Sequence, residues 1–193
     1  KISGGDVRYV AQGDGKHPVE NGGTIENPGD LILLGNTTPR YTYGVNLSLQ
    51  WKNFDFSMLW QGVAKRKILI QTETMAPFYQ SYNMPWTIHR DYWTPENPDA
   101  YWPRLYNGSS FNFQPSDKWV QDASYIRVKN VQLGYTVPIK KTIVDRFRVY
   151  VSGDDVWEHT NLMNVFDPEV GNNVSANYYP FFRSWTVGVN LTF

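Results

Sequence analysis

The chain has 193 residues, enough for one domain or for part of a larger one. Lys+Arg and Asp+Glu both total 18, so no basic excess favours a nucleic-acid partner, and the absence of cysteine removes disulfides, thiolate metal sites and cysteine nucleophiles. No apolar run reaches the roughly 18–20 residues of a transmembrane helix, which excludes a helical membrane protein. Aromatic residues make up 16%, with 8 Trp, 13 Tyr and 10 Phe, a heavy load at a mean hydropathy of −0.49. A membrane β-barrel fits these values, because lipid-facing and lumen-facing residues alternate along its strands and average out as polar. A secreted β-sandwich that binds glycans through surface rings fits them equally.

Nothing near Lys1 has the apolar stretch and small-residue cleavage site of a signal peptide, so any export signal is expected upstream. Residues 1–40 read as a Gly-rich loop. From Tyr41 the chain alternates with period two. Tyr41, Tyr43, Val45, Leu47, Leu49 and Trp51 share one face, while Thr42, Gly44, Asn46, Ser48 and Gln50 share the other. Rings stand at both ends of the apolar face and aliphatic side chains in its middle. A lipid-facing strand needs this arrangement, and a sandwich core has no reason for it. Lys52-Asn53 makes a tight turn, after which Phe54, Phe56, Met58 and Trp60 share a face, with Leu59 out of step.

A long segment, 63–124, precedes a third strand at Tyr125–Val137. There Ile126 and Val128 have one parity, and Val131, Leu133 and Tyr135 the other, so the spacing predicts a bulge near Lys129-Asn130. Phe147, Val149 and Val151 begin a fourth strand. In the fifth, 184–193, Trp185, Val187, Val189, Leu191 and Phe193 alternate without error. Strands of about 9–11 residues suit a tilted barrel strand crossing a bilayer. The connections are lopsided, and long loops belong outside the cell with short turns in the periplasm. The organisation expected is therefore an extracellular loop (1–40), a strand hairpin (41–62), a long extracellular loop (63–124), a second hairpin (125–154), an extracellular loop (155–183) and a terminal strand (184–193). The fold class is all-β: strands of a large antiparallel transmembrane barrel. Five strands cannot close such a barrel, which needs about eight, so further strands are expected upstream or from a shared barrel.

Several stretches stand out as motifs in their own right. They are Gly5-Asp6-Val7-Arg8-Tyr9, Gly13-Asp14-Gly15, Leu34-Gly35-Asn36-Thr37-Thr38-Pro39-Arg40-Tyr41-Thr42-Tyr43-Gly44 and Phe54-Asp55-Phe56-Ser57 with Gln61-Gly62-Val63. Asp91-Tyr92-Trp93-Thr94-Pro95-Glu96-Asn97-Pro98-Asp99-Ala100, Pro103-Arg104-Leu105, Tyr125 to Tyr135, Asp167-Pro168-Glu169-Val170-Gly171 and the Phe-ended last strand follow in order. Together, and in this order, these stretches resemble the SusC/RagA-type TonB-dependent transporters. The resemblance implies a parent barrel of about twenty-two strands with an N-terminal plug, located in the bacterial outer membrane as a multi-pass protein. It also implies a SusD-like surface lipoprotein as partner, import of oligosaccharides or peptides, and energy supplied by the TonB complex through the plug. The segment's remaining partners would be the rest of the barrel and the lipid bilayer. No cofactor and no enzymatic activity are implied. Family members often carry an Asp-rich run before Gly-Asp-Gly that is reminiscent of a calcium loop. Most of its acidic positions are absent here, leaving Asp14 a weak calcium candidate for which a plain turn is the better reading.

Candidate sites are few. Gly153-Asp154-Asp155 with Glu158 and His159 could be an acid/base or metal cluster, but a strand end running into a polar loop is preferred. His17, His89 and His159 have no metal-ligand spacing. No nucleophile elbow is present, and no catalytic residue is assigned. The informative region is 63–124, where Trp86, Arg90, Tyr92, Trp93, Tyr101, Trp102 and Arg104 could contact substrate or a docking partner. Packing of these rings into the loop's own core is the preferred alternative, because a large ordered loop needs one. Trp185, Val187, Val189, Leu191 and Phe193 resemble the signal read by the barrel-assembly machinery. Deleting Phe193 is therefore expected to reduce membrane insertion far more than it alters substrate choice, as measured by heat-modifiable electrophoresis of outer-membrane fractions. Normal assembly of the deletion would count against this role.

Overall fold

Alternating residues make a strand where the two faces meet different surroundings, and β1 (Tyr41–Trp51) covers the whole first alternating stretch. The computed structural model describes residues 2–20, 22, 24–70, 77–78, 84–108, 111–140, 143–169, 171, 173–174 and 181–193. Its further strands are β2 (Phe54–Ala64), β3 (Lys67–Ile70), β4 (Val120–Asp122), β5 (Tyr125–Val137), β6 (Arg146–Thr160), β7 (Asn173–Val174) and β8 (Ser184–Thr192), with no α-helix among the described residues. The chain divides into two units. One comprises Asn36–Lys67, Gln121–Val170 and Tyr178–Phe193, and the other Lys1–Gly35, Ile68–Val120 and Gly171–Asn177.

The first unit is a five-stranded sheet in the order β1-β2-β5-β6-β8, each neighbour antiparallel to the next. Lys52, with φ 54, and Asn53 join β1 to β2, so Trp51 faces Phe54 across the hairpin. The register carries one apolar face from strand to strand. Leu47 lies beside Met58, Met58 beside Val131, Val131 beside Gly153 and Gly153 beside Trp185. Lower in the sheet the sequence is Leu49, Phe56, Leu133, Val151, Val187. The aliphatic middle of this face stays exposed, with Val45 at 58% and Val187 at 82%. A sandwich would cover these positions, and an exposed patch of this extent marks a surface meant for another apolar phase. Rings gather at its two ends. Trp60 meets Trp157 edge-on at 5.7 Å at one, and Trp51, Phe54 and Tyr135 follow one another at 6.4 and 4.7 Å at the other.

The bulge forms where the parity predicts it. Pairing of β5 with β2 and with β6 skips Lys129, and β6 answers with Asp155 at φ 52. The shift resets the alternation, so β6 does not stop near Asp154 but runs on to Thr160, with Trp157 on the apolar face beside Val128. The sequence pattern ends the strand early because a reset parity looks like a break.

The opposite face is polar. On it, Arg148 clasps Asp55 two strands away, Nε to Oδ1 at 2.8 Å and Nη2 to Oδ2 at 2.5 Å, and lies 5.0 Å from the Tyr150 ring. Such a fork-to-fork pair is stronger and more directional than a neutral hydrogen bond. On the apolar face, the phenol of Tyr43 lies across Gly62, its cross-strand partner, and donates to the Tyr125 carbonyl at 3.3 Å. A Cβ at Gly62 would stand 2.5 Å from the ring and 2.6 Å from the Tyr125 oxygen. Gly62→Val is thus expected to destabilise the barrel by about 2 kcal/mol, since inserted volume here must push backbone as well as a ring. A lowered unfolding midpoint in urea would register this, and an unchanged midpoint would contradict it.

Candidate functional site

In the second unit, the sequence-selected rings form two groups with different surroundings. Asp91 organises the backbone. Its Oδ2 accepts from the Tyr101 N–H at 3.0 Å and its Oδ1 from the Asn97 side chain at 3.1 Å. These bonds, the Tyr101 N–H foremost, hold its carboxyl below the usual carboxylate range. The Trp102 N–H donates to the Asp91 carbonyl at 3.1 Å, the Trp93 N–H to the Trp102 carbonyl at 2.9 Å, and the Arg104 N–H to the Gly5 carbonyl at 2.9 Å. The chain around Trp93 is thereby laced to 102–104, and 102–104 to the segment holding Gly5.

Trp102 belongs to the loop's core. It is 2% exposed, stacks on Trp119 at 5.5 Å and receives the edge of buried His89 at 4.5 Å. Trp119 is fully buried, touches Phe113 at 5.7 Å and donates its Nε1–H to the Asn112 carbonyl at 3.2 Å. Asn112, 1% exposed, satisfies both ends of its amide. Its Oδ1 accepts from the Val7 N–H at 2.8 Å, and its Nδ2 donates to Asp6 and to the Arg104 carbonyl, each at 3.2 Å. Trp86 packs at the margin, its N–H donating to His89 Nδ1 at 2.8 Å.

Trp93 and Tyr101 instead border an open cleft of about 310 Å³, with Gly5, Asp6, Pro98 and Lys118 among its walls. Gly5, at φ +83, lets the backbone lie directly against the Trp93 ring, where any Cβ would overlap the indole. Lys118 donates to the Tyr101 carbonyl at 2.7 Å and stands 4.8 Å from the Tyr101 ring. Burial pushes its ammonium below the ordinary lysine range, against the opposing Asp117 charge. The guanidinium of Arg104 reaches both Trp93 and Tyr106 at 5.8 Å. Tyr92 and Arg90 are exposed outside this arrangement. The cleft thus offers two ring faces, a carboxylate and an ammonium. The spacing of rings along 86–106 marks the region, but it does not separate core from cleft. Lys118, Asp6 and Asn112 join it only through folding.

Asp14 occupies a turn, its Oδ1 accepting the Lys16 N–H at 2.9 Å. Asp30 is the organising carboxylate nearby, taking the Gln12 and Glu20 N–H groups at 2.7 Å each. Among the described residues no group of three or more His, Asp or Glu side chains is arranged to hold a metal ion.

In the strand unit, Arg127 is the centre of an ion network on the polar face. At 1% exposure it meets Glu158, Asp167 (2.5 Å), Glu169 (2.9 Å) and Asp155 (3.9 Å). Lys129, in the bulge, adds Asp155 at 2.9 Å and Glu169 at 3.0 Å. Arg66 donates to the Pro168 carbonyl at 2.6 Å, so the Asp167-Pro168-Glu169 segment is held on three sides. Val170 of that motif lies outside the described residues. Asp155 and Glu158 are thus counter-ions of Arg127, while His159 is exposed and outside the network. Sequence reading passed over Arg127, although its polar-face position between Ile126 and Val128 was visible.

A sheet with one ring-bordered apolar face and one ion-paired polar face is a portion of a transmembrane β-barrel wall. Known proteins agree. TonB-dependent receptor P26 of Formosa agariphila is 32% identical over 94% of this chain and 20% of its own length. TonB-dependent receptor P3 of the same organism is 28% identical over 85% of this chain and 17% of its own. Among solved structures, the RagAB peptide importer in its open-open state matches with a TM-score of 0.64, at 21% identity over 91% of this chain and 21% of that one. Its closed-closed state matches at 0.67, with 22% identity over 88% and 19%. No family model matches. The chain belongs to the TonB-dependent receptors, and its fold is that of the RagAB importer's matching segment. It spans about a fifth of the length of the curated relatives it matches.

Removing Arg127 would leave four carboxylates with only Lys129, on Asp155 and Glu169, and Arg183, 3.8 Å from Glu158, to balance them; breaking a buried ion pair by deleting one partner costs about 3–5 kcal/mol. Arg127→Ala is expected to release residues 163–169 from β5. Hydrogen exchange would then rise in that segment while the β1–β2 hairpin keeps its protection; unchanged exchange at 163–169 would rule the anchoring role out.

Proposed function

We propose that this chain is part of the barrel wall and extracellular surface of an outer-membrane importer that takes up a nutrient, an oligosaccharide or a peptide. In this reading the TonB complex drives the parent protein through its plug, and a SusD-like surface lipoprotein docks on the loops. The observation that carries it is the continuous apolar face running from β1 to β8, bordered by rings and backed by an ion-paired polar face. Membership among TonB-dependent receptors supports the same reading.

The orientation follows from the connections. The Lys52-Asn53 turn and residues 138–145 are short and face the periplasm, while the segments leaving the Tyr41 end are long and lie outside the cell. The cleft bordered by Trp93, Tyr101, Asp6 and Lys118, formed by the segments that lead to and from the Tyr41 end of the hairpin, contacts ligand or lipoprotein. Rings with hydrogen-bonding groups beside them suit a sugar ring or a peptide side chain, and the exposed Tyr92 and Arg90 extend the docking surface. The segment acts by binding and enclosing a path, with no catalytic group and no cofactor assigned to it.

Native mass spectrometry of the detergent-extracted species containing this chain is expected to show a much larger polypeptide together with a lipidated subunit. In the same preparation, Trp93→Ala with Tyr101→Ala should weaken either substrate capture or lipoprotein retention roughly tenfold, two lost ring contacts accounting for that factor. A water-soluble species of the chain's own mass would overturn the importer reading. Intact capture and retention in the double variant would remove the cleft from it.

A further inference from the structure

We propose that the Tyr41 end of the β1–β2 hairpin carries a binding site for the phosphate of an acidic glycolipid in the outer leaflet, built from Arg40, Lys65 and the Tyr41 ring. The proposal rests on the membrane orientation given under Proposed function.

Height comes first. β1 has 11 residues from Tyr41 to Trp51, and at about 3.3 Å per residue with a tilt near 40° it rises about 25 Å, the height of a barrel's apolar band. Tyr41 and Trp51 therefore mark the two edges of the hydrocarbon layer, where headgroups begin. Tyr41 is 51% exposed, and its cross-strand neighbour is only Ala64, which leaves the ring open on that side.

Charge comes second. The Arg40 guanidinium lies 5.9 Å and the Lys65 ammonium 5.7 Å from the Tyr41 ring centroid, so two cations share one ring. Like charges brought together this way repel unless an anion joins them. Neither has a carboxylate in ion-pair range among the described residues; their partner is the ring. The adjacent cations differ. Arg66 is spent on the Thr37 and Pro168 carbonyls, and Lys67 stands 3.8 Å from Asp122. Two exposed cations thus have no carboxylate partner among the described residues, at one of the two levels of the sheet where headgroups begin.

Backbone geometry comes third. Lys65 sits at φ 54, a conformation that glycine adopts more easily. Lys52 shares that conformation at the other edge, so what singles out Lys65 is the second cation, Arg40, beside the same ring. The Lys65 stem can lie along the apolar face while the ammonium reaches the headgroups, as interfacial lysines do. The opposite edge has one such pair, Lys52 at 4.8 Å from the Trp51 ring. That edge faces the inner leaflet and serves as the internal control.

The phosphate of a lipid A headgroup fits the outer edge. Its acyl chains would run down the Val45–Leu47–Leu49 stripe, and its phosphate would meet the two cations above Tyr41. The test uses the full-length transporter, purified in detergent and stripped of lipid, then titrated with lipid A carrying or lacking its phosphates under native mass spectrometry. The unaltered protein should prefer the phosphorylated form, and Arg40→Gln with Lys65→Gln should lower that preference roughly tenfold, each cation near an anionic surface contributing a few-fold. Lys52→Gln should leave it unchanged. A preference retained by the double variant, or absent in the unaltered protein, overturns the site. Orientation is read separately by labelling intact cells with an impermeant maleimide after Asn36→Cys or Asn53→Cys. Label on the first alone keeps the orientation, so that a missing phosphate preference then sinks only the lipid site. Label on the second alone sinks the orientation and the site together.

Discussion

A strand crossing hydrocarbon has no water to satisfy its N–H and C=O groups, and each group left unpaired there costs several kcal/mol. This constraint governs the strand unit. It requires the long antiparallel ladders between β1 and β2, β2 and β5, β5 and β6, and β6 and β8. It also requires that the chain's excursions lie beyond the ends of the strands. The segment carrying β3 and β4 and the segment carrying β7 both leave the sheet and return beside the strand they left, so the sheet order follows chain order. Within the sheet β1 and β8 each have one neighbour, so their free edges must be met by other strands of the parent barrel.

Given the ladder, the period of two sorts the chemistry. Every ring and aliphatic residue from Tyr41 to Trp51 falls on one face, and Thr42, Asn46, Ser48 and Gln50 fall on the other. Arg148 with Asp55 ties β6 to the hairpin low in the sheet, and Arg127 with its carboxylates ties β5 to β6 and to the Asp167-Pro168-Glu169 segment near the upper end. A buried ion pair is weak evidence for stability, because desolvation offsets much of the attraction. What these pairs supply is position: Arg127 and Arg66 hold the Asp167-Pro168-Glu169 segment to β5 at a defined place. In the other unit, buried Asn112 fixes Val7, Asp6 and Arg104 with one amide, leaving the cleft beside Trp93 with settled walls.

The strands were legible because lipid and lumen impose opposite demands on successive residues, and the Lys129 bulge was legible because it breaks that alternation once. The same break hid the upper part of β6, where Trp157 resumes the apolar face after Asp155. The ion network was not legible. Arg127 and Asp167 are 40 positions apart, and nothing local distinguishes an arginine with four counter-ions from one facing water. Among the loop rings, sequence identified the region and favoured internal packing, which holds for Trp102. It could not assign Trp93 to the cleft, since that depends on Gly5, far away in the chain, lying against the indole. Trp119, the most buried ring of that core, sits outside the 86–106 cluster and drew no notice.

The bulge at Lys129 also bears on how such a chain can change over generations. Along an unbroken strand, gaining or losing one residue turns every later side chain to the wrong medium, and the protein is lost at once. Here β5 and β6 already absorb one such offset between Val128 and Asn130, with the ion network closing over it. The stretch from Asn130 to Val137 is insulated from the stretch above. A change of length in residues 125–128 or the loops they feed can therefore be taken up at the bulge, while the stretch below it keeps its pattern.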